Sequence, residues 1–303
     1  MVRRAVLPVA GLGTRFLPVT KSVPKELLPI VDKPAIQYIV EECVAAGIDD
    51  VLFVTSAGKS ALEDHFDRSL ALESALQEKG KLDDLAMVRE VAGLADVHCI
   101  RQGEALGLGH AVRMGASHVG ADESFAVILG DDLLAPGSGF LGRMIEAHHR
   151  TSRPVVALME VPPDEVHRYG VAEVTATARP DEFEVTGVVE KPDPADAPSN
   201  LILVGRYVLP GSIFAVLDET PPGHGGEIQL TDALQTLADD EPLTGLLLDS
   251  PRYDTGDKLG YLKANLEVAA TRDDLAPSLL PWLRSWLDEQ EARAGSTGQD
   301  DPR

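Results

Sequence analysis

The stretch RAVLPVAGLG, residues 4–13, decides the fold of this chain. Its apolar run predicts a buried strand over residues 4–9, and its glycine-rich end predicts a tight turn. After Pro34, apolar residues recur at the spacing of one helix face, and VLFVT at 51–55 predicts a second strand. A strand, a helix and a strand in this order predict a parallel βαβ unit.

The alternation continues through the first half of the chain. VHCI at 97–100 and FAVILGDD at 125–132 predict further strands, with a helix from about 107 to 117 between them, whereas residues 59–92 carry only a charged, helical pattern. We therefore predict an α/β fold with a Rossmann-like, doubly wound, mixed but mostly parallel sheet. Ligands of such sheets bind outside the carboxyl ends of the strands, which is where the glycine-rich turns fall.

The composition excludes several classes of protein. The 303 residues are 44% hydrophobic and carry a net charge of −22, so the chain has enough apolar residues for a core. Such an acidic chain does not grip nucleic acid or an anionic membrane through a basic face, and no apolar stretch is long enough to span a bilayer. Cys43 and Cys99 form no CxxC motif and predict buried thiols in a reducing compartment, so we expect a cytoplasmic protein.

The turn AGLGTR, residues 10–15, has the composition of a phosphate-binding loop. Its glycines let the backbone N–H groups approach a phosphate. The third glycine of a dinucleotide fingerprint is replaced by Phe16, and Arg15, Lys21 and Lys25 supply cations that suit a triphosphate. The alternative is a tight turn with a solvated basic face.

The segment RQGEALGLGH, residues 101–110, follows another predicted strand. Gln102 carries both a donor and an acceptor, which matches the edge of uracil or thymine. Glycines around it permit the close approach of a ring. The alternative is a flexible loop with no ligand.

Asp131 and Asp132 stand at the carboxyl end of the predicted strand FAVIL. Two carboxylates at the ligand edge of a sheet predict a Mg²⁺ site, because hard oxygen ligands suit that ion. The alternative is an acidic N-cap of the following helix.

Other segments carry weaker signals. Glu190-Lys191, GHGGE at 223–227 and YDTGD at 253–257 each follow or precede a predicted element, and each also suits a surface turn. Gly58-Lys59-Ser60 lacks the first glycine of a P-loop and predicts a helix N-cap. The eight histidines show no zinc-ligand spacing, and the two beside candidate loops, His110 and His224, are interpreted as structural.

Together these segments resemble the bacterial UTP–glucose-1-phosphate uridylyltransferases, which belong to the sugar-1-phosphate nucleotidylyltransferases. The resemblance runs from residue 4 to about residue 270. The stretch at 65–85 resembles an insert that the related thymidylyltransferases lack. The matching stretches are AGLGTRFLPVTKSVPKELLPIVDKP (10–34), QGEALGLGHAV (102–112), GDD (130–132), YGV (169–171), VVEKPDPADAPSNLILVGRYVL (188–209), GGEIQLTDAL (225–234) and YDTGDKLGYLKA (253–264).

The resemblance implies the reaction of UTP with glucose 1-phosphate to give UDP-glucose and pyrophosphate, with Mg²⁺ as cofactor and a homodimer or homotetramer as the assembly. The attacking phosphate oxygen is already anionic, so no general base is needed, and the demand on the site is electrostatic. Thymidylyl transfer, or transfer to another sugar phosphate, is the closest alternative. A non-catalytic sugar-nucleotide binder is a further alternative, against which the intact set of charged residues argues.

The resemblance also implies residue roles. Arg15, Lys25, Asp131 and Lys191 would be catalytic. The nucleotide would contact Ala10, Gly11, Gly13, Thr14, Arg15, Lys25, Glu26, Gln102 and Gly107. The sugar phosphate would contact Gly170, Glu190, Lys191 and Val204. Asp131 and Asp254 would hold the metal.

Residues 1–273 are expected to form the catalytic domain, with a nucleotide half at about 1–150 and a sugar-phosphate half, the sugar-binding subregion, at about 151–273. A C-terminal helix is predicted over 274–292, with Trp282 and Trp286 on it, and a disordered tail over 293–303.

Two positions depart from the pattern that the family usually has. Val9 stands where alanine is usual, and Gly130 stands where many uridylyltransferases have proline and thymidylyltransferases have glycine.

Overall fold

A computed structural model gives the fold and describes residues 1–297. In this part of the chain the strands are β1 (Arg4–Pro8), β2 (Pro29–Ile30), β3 (Lys33–Pro34), β4 (Asp50–Thr55), β5 (Asp96–Arg101), β6 (Ser124–Ile128), β7 (Asp132–Leu134), β8 (Val155–Glu160), β9 (Gly170–Ala176), β10 (Glu182–Glu190), β11 (Leu201–Pro210), β12 (Leu243–Leu247) and β13 (Arg252–Asp254). The α-helices are α1 (Ala35–Ala45), α2 (Ala61–Phe66), α3 (Leu70–Glu78), α4 (Leu82–Val91), α5 (Leu108–Arg113), α6 (Ala116–Val119), α7 (Phe140–Thr151), α8 (Ile213–Glu219), α9 (Leu230–Asp240), α10 (Lys258–Thr271) and α11 (Ala276–Thr297).

One sheet of nine strands runs through the described residues in the order β5-β4-β1-β6-β11-β8-β12-β10-β9. The pairs β5/β4, β4/β1, β1/β6 and β8/β12 are parallel. The pairings make β10 and β11 antiparallel to their neighbours, so seven strands run in one direction and two in the other. The prediction of a mixed, mostly parallel sheet is confirmed.

Both faces of the sheet are covered, because successive side chains of a strand point to opposite faces. Ala5 and Leu7 of β1 lie in one hydrophobic cluster, together with the apolar face of α1. Val6, between them, lies in the second cluster with the apolar face of α9. Because β1, β4, β5 and β6 are parallel, the loops that follow them all lie at one edge of the sheet.

Two two-stranded ribbons complete the fold. In one of them β2 pairs with β3, and in the other β13 pairs with β7. The second ribbon sets Asp254 opposite Asp132. This pairing carries the YDTGD segment, from the second half of the chain, to the end of β6.

The structure differs from the prediction in several elements. The strand predicted over 125–132 ends at Ile128, and a turn separates it from β7. The helical pattern predicted over 59–92 is confirmed, and the structure divides it into the three helices α2, α3 and α4. Strand β12 was not predicted, because Gly245 interrupts its apolar pattern. A Cβ atom at Gly245 would lie 2.5 Å from Leu158, so the glycine serves close packing within the strand.

The C-terminal helix is longer than predicted. It runs from Ala276 to Thr297, so the expected end at residue 292 and the expected disorder of residues 293–297 are wrong. The segment EARA (291–294) is polar, which led to the prediction of a disordered tail, but its residues are good helix formers and continue the helix. The rest of the predicted tail, residues 298–303, lies outside the described residues.

The two cysteines also differ from each other. Cys43 is buried as predicted, but Cys99 on the edge strand β5 is exposed. Among residues 1–297, no helix combines the length and the apolar character that crossing a membrane requires.

Candidate active site

Two adjoining cavities lie at the carboxyl ends of β1, β5 and β6. The larger, of about 550 Å³, is lined by five residues predicted to bind the nucleotide. These five residues are Ala10, Gly11, Lys25, Gln102 and Gly107. The smaller, of about 210 Å³, is lined by Arg15, Asp131, Val204 and Asp254, and both cavities share Leu129. The structure thus brings most of the predicted site to one cleft.

The loop after β1 is folded tightly around its glycines. Gly13 has a φ of +64°, in the left-handed region that favours glycine, and a Cβ atom there would lie 3.1 Å from both Thr20 and Lys25. The Thr20 hydroxyl donates a hydrogen bond to the Gly13 carbonyl at 2.7 Å. Thr14 and Arg15 follow in a short 3₁₀ turn and are exposed. The hydrogen bond from Thr20 therefore fixes the loop at Gly13, whereas the exposed side chains of Thr14 and Arg15 can contact a ligand.

Lys25 and Asp131 form an ion pair in the cleft. Burial disfavours the charge of Lys25, but the Asp131 carboxylate outweighs it and raises the pKa of Lys25. Burial alone would raise the pKa of Asp131, yet the Lys25 ammonium lowers it. Both groups are therefore charged at neutral pH, and each is partly exposed to the cleft, 17% for Lys25 and 30% for Asp131.

A second carboxylate lies next to Asp131. A Cβ atom at Gly256 would be 2.6 Å from Asp131 Oδ2 and 3.0 Å from Asp254 Oδ1, so the absence of a side chain at Gly256 makes room for the two carboxylates. Burial and the charge of Asp131 raise the pKa of Asp254. Two crowded acids with hard oxygen atoms are the ligand set that a divalent cation such as Mg²⁺ prefers. The residues therefore fit the predicted metal.

Asp132, the second acid of the GDD segment, lines the smaller cavity, but both of its carboxylate oxygens are engaged by the protein. It is 3% exposed and accepts hydrogen bonds from the Gly205 N–H at 2.8 Å and from Arg252 Nε at 2.7 Å. The two aspartates line the same cavity but have different partners. Asp131 faces the ligand space, and Asp132 holds β11 and β13 in place.

Gln102 is anchored through its amide nitrogen. Nε2 donates to the Gly107 carbonyl and lies the same distance, 3.1 Å, from His110 Nδ1. Within residues 1–297 the amide oxygen accepts no hydrogen bond, and the residue lines the larger cavity. Gln102 therefore offers an acceptor to a ligand, and His110 has the structural role that the sequence predicted.

The loop after β5 is clamped by the GGEIQL segment. The Gly109 N–H donates to the Ile228 carbonyl, the Ile228 N–H donates to the Leu106 carbonyl, and both distances are 2.8 Å. A Cβ atom at Gly107 would lie 2.7 Å from the Ile228 carbonyl oxygen, and Gly107 has a φ of +107°. Glycine is therefore required at position 107 by contact with the other half of the chain, which no local pattern reveals.

Glu26 does not line either cavity, in contrast to its neighbour Lys25. It is 1% exposed and accepts hydrogen bonds from Lys59 Nζ at 2.9 and 2.8 Å. The same ammonium donates to the Val9 carbonyl at 2.6 Å. Glu26 therefore contacts Lys59 behind the loop, and its contact with the nucleotide stays a prediction.

Lys59 was missed by the sequence reasoning. The GKS segment predicts a helix N-cap, and Ser60 does occupy the N-cap position of α2, although its side chain makes no capping hydrogen bond. The available signal was a lysine in the turn after β4, at the ligand edge of the sheet. Its ammonium joins the end of β1 and the turn that carries Lys25, which are the two segments that shape the larger cavity.

The predicted sugar-phosphate residues gather beside the smaller cavity. Gly170 is paired with Glu190 across β9 and β10, and the Lys191 N–H donates to the carbonyl of Tyr169, which lines the cavity. Glu190 Oε2 accepts from the Thr231 hydroxyl at 2.8 Å, and Glu190 Oε1 lies 2.9 Å from Lys191 Nζ.

Lys191 is held in an unusual backbone conformation. Its φ is +46°, a left-handed value that costs roughly 1–2 kcal/mol for a residue other than glycine. Strain of this kind concentrates at functional sites. Thr231, on α9, was not singled out from the sequence.

Comparisons with known proteins agree with this geometry. Residues 4–271 match the family described as nucleotidyl transferase. The UTP–glucose-1-phosphate uridylyltransferase YngB of Bacillus subtilis (strain 168) is 49% identical over 289 residues, which cover 95% of this chain and 97% of that protein. The structure of a UTP-bound UGPase from Acinetobacter baumannii matches with a TM-score of 0.87 at 42% identity, covering 93% of this chain and 99% of the other. A UDP-glucose pyrophosphorylase complexed with UDP-glucose matches with a TM-score of 0.81 at 40% identity, covering 90% and 100%.

Proposed function

The chain belongs to the nucleotidyl transferase family, and we propose that its cleft transfers the uridylyl group of UTP to glucose 1-phosphate, releasing pyrophosphate and forming UDP-glucose. The observation that carries the proposal is the meeting of the glycine loop, the Lys25–Asp131 pair and Asp254 at one edge of the sheet. Relatives named as uridylyltransferases match almost the whole chain, which favours uridylyl over thymidylyl transfer.

On the nucleotide side, the backbone N–H groups of the glycine loop and the side chains of Thr14 and Arg15 bind the phosphates that leave as pyrophosphate. The amide oxygen of Gln102 accepts a hydrogen bond from N3–H of uracil. Cytosine has an acceptor at N3 and would meet Gln102 with two acceptors facing each other. The cleft therefore selects the base before the chemistry begins.

The central task of the site is electrostatic. A dianionic phosphate must approach the α-phosphate of a polyanion, and Lys25 lies where it neutralises charge that accumulates there. Asp131 and Asp254 would hold Mg²⁺, which supplies Lewis-acid stabilisation of the phosphate oxygens when bound. Asp131 also orients Lys25 through their ion pair.

On the sugar side, Lys191 grips the phosphate of glucose 1-phosphate and Glu190 accepts hydrogen bonds from the sugar hydroxyls. Thr231 orients the Glu190 carboxylate, because the Thr231 hydroxyl donates a hydrogen bond to one of the two carboxylate oxygens. Gly170 and Val204 contact the sugar through their backbone. The glucose phosphate oxygen then attacks the α-phosphorus, the bond to the β-phosphate oxygen breaks, and no proton has to be removed.

The test is pyrophosphate release in the presence of Mg²⁺, UTP and glucose 1-phosphate. We expect release that requires both substrates and the metal. Asp131→Asn should lower turnover by about 100-fold or more, in the range seen when one preorganised electrostatic contact is lost. Asp273→Asn, which removes an exposed carboxylate on the segment after α10, serves as the matched control. No release from the wild type, or an unimpaired Asp131→Asn variant, would contradict the proposal.

We further propose that the protein is cytoplasmic and works as a homodimer or homotetramer. Two free thiols support a reducing compartment. Trp282, Trp286 and Leu287 of α11 are 57%, 44% and 51% exposed, which supports a subunit contact on that helix. Removal of residues 274–303 should lower the number of subunits per particle. Light scattering gives this number as the measured mass divided by the mass of one truncated chain. An unchanged oligomer would place the contact elsewhere.

A further inference from the structure

Two histidines and an aspartate meet outside the catalytic cleft. Asp50 is the first residue of β4, His98 lies on the edge strand β5, and His118 lies on α6. One ligand atom from each of the three side chains lies within 4.8 Å of the other two. Asp50 is at the amino end of its strand, whereas the cleft is at the carboxyl ends.

The distances in this cluster suit a metal ion with small adjustments. His118 Nε2 lies 2.6 Å from Asp50 Oδ1, and His98 Nε2 lies 3.9 Å from the same oxygen. An ion with nitrogen and oxygen ligands at about 2.0–2.2 Å separates neighbouring ligands by about 3.0–3.5 Å. The two observed distances lie on either side of this range, so side-chain rotations are enough to reach it.

The carboxylate is already oriented by a neighbour. Asp50 Oδ2 accepts a hydrogen bond from Arg4 Nε at 2.9 Å, which leaves Oδ1 directed to the imidazoles. Glu123 pairs with the same guanidinium and offsets its charge. Partners that fix a ligating carboxylate in this way are typical of metal sites. The side chains of Asp50 and His118 are each 23% exposed and that of His98 is 54% exposed, so an ion reaches the cluster from solvent.

We propose that Asp50, His98 and His118 form a binding site for a divalent transition-metal ion, with Zn²⁺ as the best match. Two imidazoles and one carboxylate suit zinc, whereas Mg²⁺ prefers oxygen ligands, so this site and the Asp131–Asp254 pair select different ions. Three protein ligands leave a fourth position for water. The bound ion ties the edge strand β5 to β4 and α6, and β5 leads directly into Gln102.

The test is a calorimetric titration of chelator-treated, dialysed protein with ZnCl₂ in a buffer that contains millimolar Mg²⁺ to occupy oxygen-only sites. We expect one zinc ion per chain. His98→Ala and His118→Ala should each weaken binding by about tenfold or more, because each removes one of three ligands. His149→Ala, which removes an exposed histidine of α7, should bind zinc as the wild type does.

Two further measurements separate loss of a ligand from loss of the fold. Without zinc, the melting temperatures of His98→Ala and the wild type should agree, and zinc should raise only that of the wild type. Co²⁺ should give visible absorption bands with the wild type but not with His98→Ala. The proposal is overturned if the wild type binds no zinc or if His98→Ala binds it equally well. It is also overturned if His118→Ala loses zinc affinity and His98→Ala does not, because His98 would then not be a ligand of the ion.

Discussion

Two lysines lie on opposite sides of the cleft and meet different environments. Lys25 is largely buried and neutralised by Asp131. Lys191 is exposed, and its backbone is held in a left-handed conformation by the turn after β10. The first lysine is therefore already paired, and we propose that the second exchanges its contact with Glu190 for an incoming phosphate.

This difference predicts separate effects on the two substrates. Lys191→Ala should lower turnover strongly, by about 100-fold or more, because a charge that positions the attacking phosphate is lost. Binding of UTP, measured by calorimetry, should be almost unchanged. Lys263→Ala removes an exposed lysine from α10 and should affect neither quantity. An equal loss of UTP affinity in Lys191→Ala would show that this lysine serves the nucleotide instead.

Asp254 predicts a pH dependence of metal use. Burial and the neighbouring Asp131 raise its pKa, so it becomes protonated at a higher pH than an ordinary aspartate as the pH falls. Asp131 keeps its charge to lower pH, because Lys25 lowers its pKa. The Mg²⁺ concentration for half-maximal pyrophosphate release should therefore rise on the acid side of neutrality.

Asp254→Asn should need more Mg²⁺ at neutral pH and should show a weaker change with pH. Asp273→Asn is again the control, since its carboxylate is exposed and outside the cleft. A pH dependence that is the same in Asp254→Asn and the wild type would assign the titration to another group.

At the scale of the elements, the buried pair of Glu26 and Lys59 joins β1, the turn that carries Lys25 and the turn after β4. Burial raises the pKa of Glu26 and lowers that of Lys59, which opposes the charges of the pair. Such a pair often adds little net stability, because desolvation offsets the attraction. We therefore expect the pair to fix the position of the loop rather than to add net stability.

Removing one partner should destabilise the fold by about 3–5 kcal/mol, because a buried charge is left alone. The double variant Glu26→Gln/Lys59→Met should recover most of that stability in urea denaturation, yet its turnover should stay low, because the loop is no longer tied to β1. Arg150→Met/Glu182→Gln removes an ion pair away from the cleft as a control. If the double variant had both wild-type stability and wild-type turnover, the pair would have only a structural role.

The two departures at Val9 and Gly130 are explained by one contact. A Cβ atom at Gly130 would lie 2.6 Å from Val9 Cγ1. Valine at position 9, directly after β1, therefore requires glycine at position 130, after β6. Gly130 is therefore a packing partner of Val9.

Gly130→Ala should lower the free energy of unfolding by about 1–3 kcal/mol through overpacking. Adding Val9→Ala should relieve the contact, so the double variant should be more stable than the sum of the two single effects predicts. The measurement is a double-mutant cycle in urea. Additive effects would mean that the two side chains do not share this space.

The sequence predicted the elements whose signals are local. The strands around β1 and β6 and the glycine loop were recognisable, because apolar runs and glycines act within a few residues. Strand β12 and the roles of Lys59 and Thr231 were not recognisable, because contacts between distant segments define them. The glycine-rich turns and Asp131 could be assigned to the ligand edge of the sheet from the sequence, whereas the roles of Lys191 and Asp254 were implied only by the resemblance, because these residues lie far along the chain from the first loops.

At the scale of the whole molecule, one sheet joins the two substrate sides. Strands from the first half of the chain form one end of the sheet, and strands from the second half form the other. The β7/β13 ribbon and the clamp at Ile228 cross between the halves at the cleft. The chain has a net charge of −22, so we expect the few cations of the cleft to attract anionic substrates to this edge.

The most direct test of the central claim is pyrophosphate release with Mg²⁺ and glucose 1-phosphate, measured in parallel for UTP, dTTP, ATP, CTP and GTP. The account predicts release with UTP well above that with every other nucleotide, and the lowest pyrimidine rate with CTP, since N3 of cytosine presents an acceptor where uracil presents N3–H to the Gln102 oxygen. A preference for dTTP would contradict the uridylyl assignment. Absence of release with all five nucleotides would contradict catalysis by this cleft with glucose 1-phosphate.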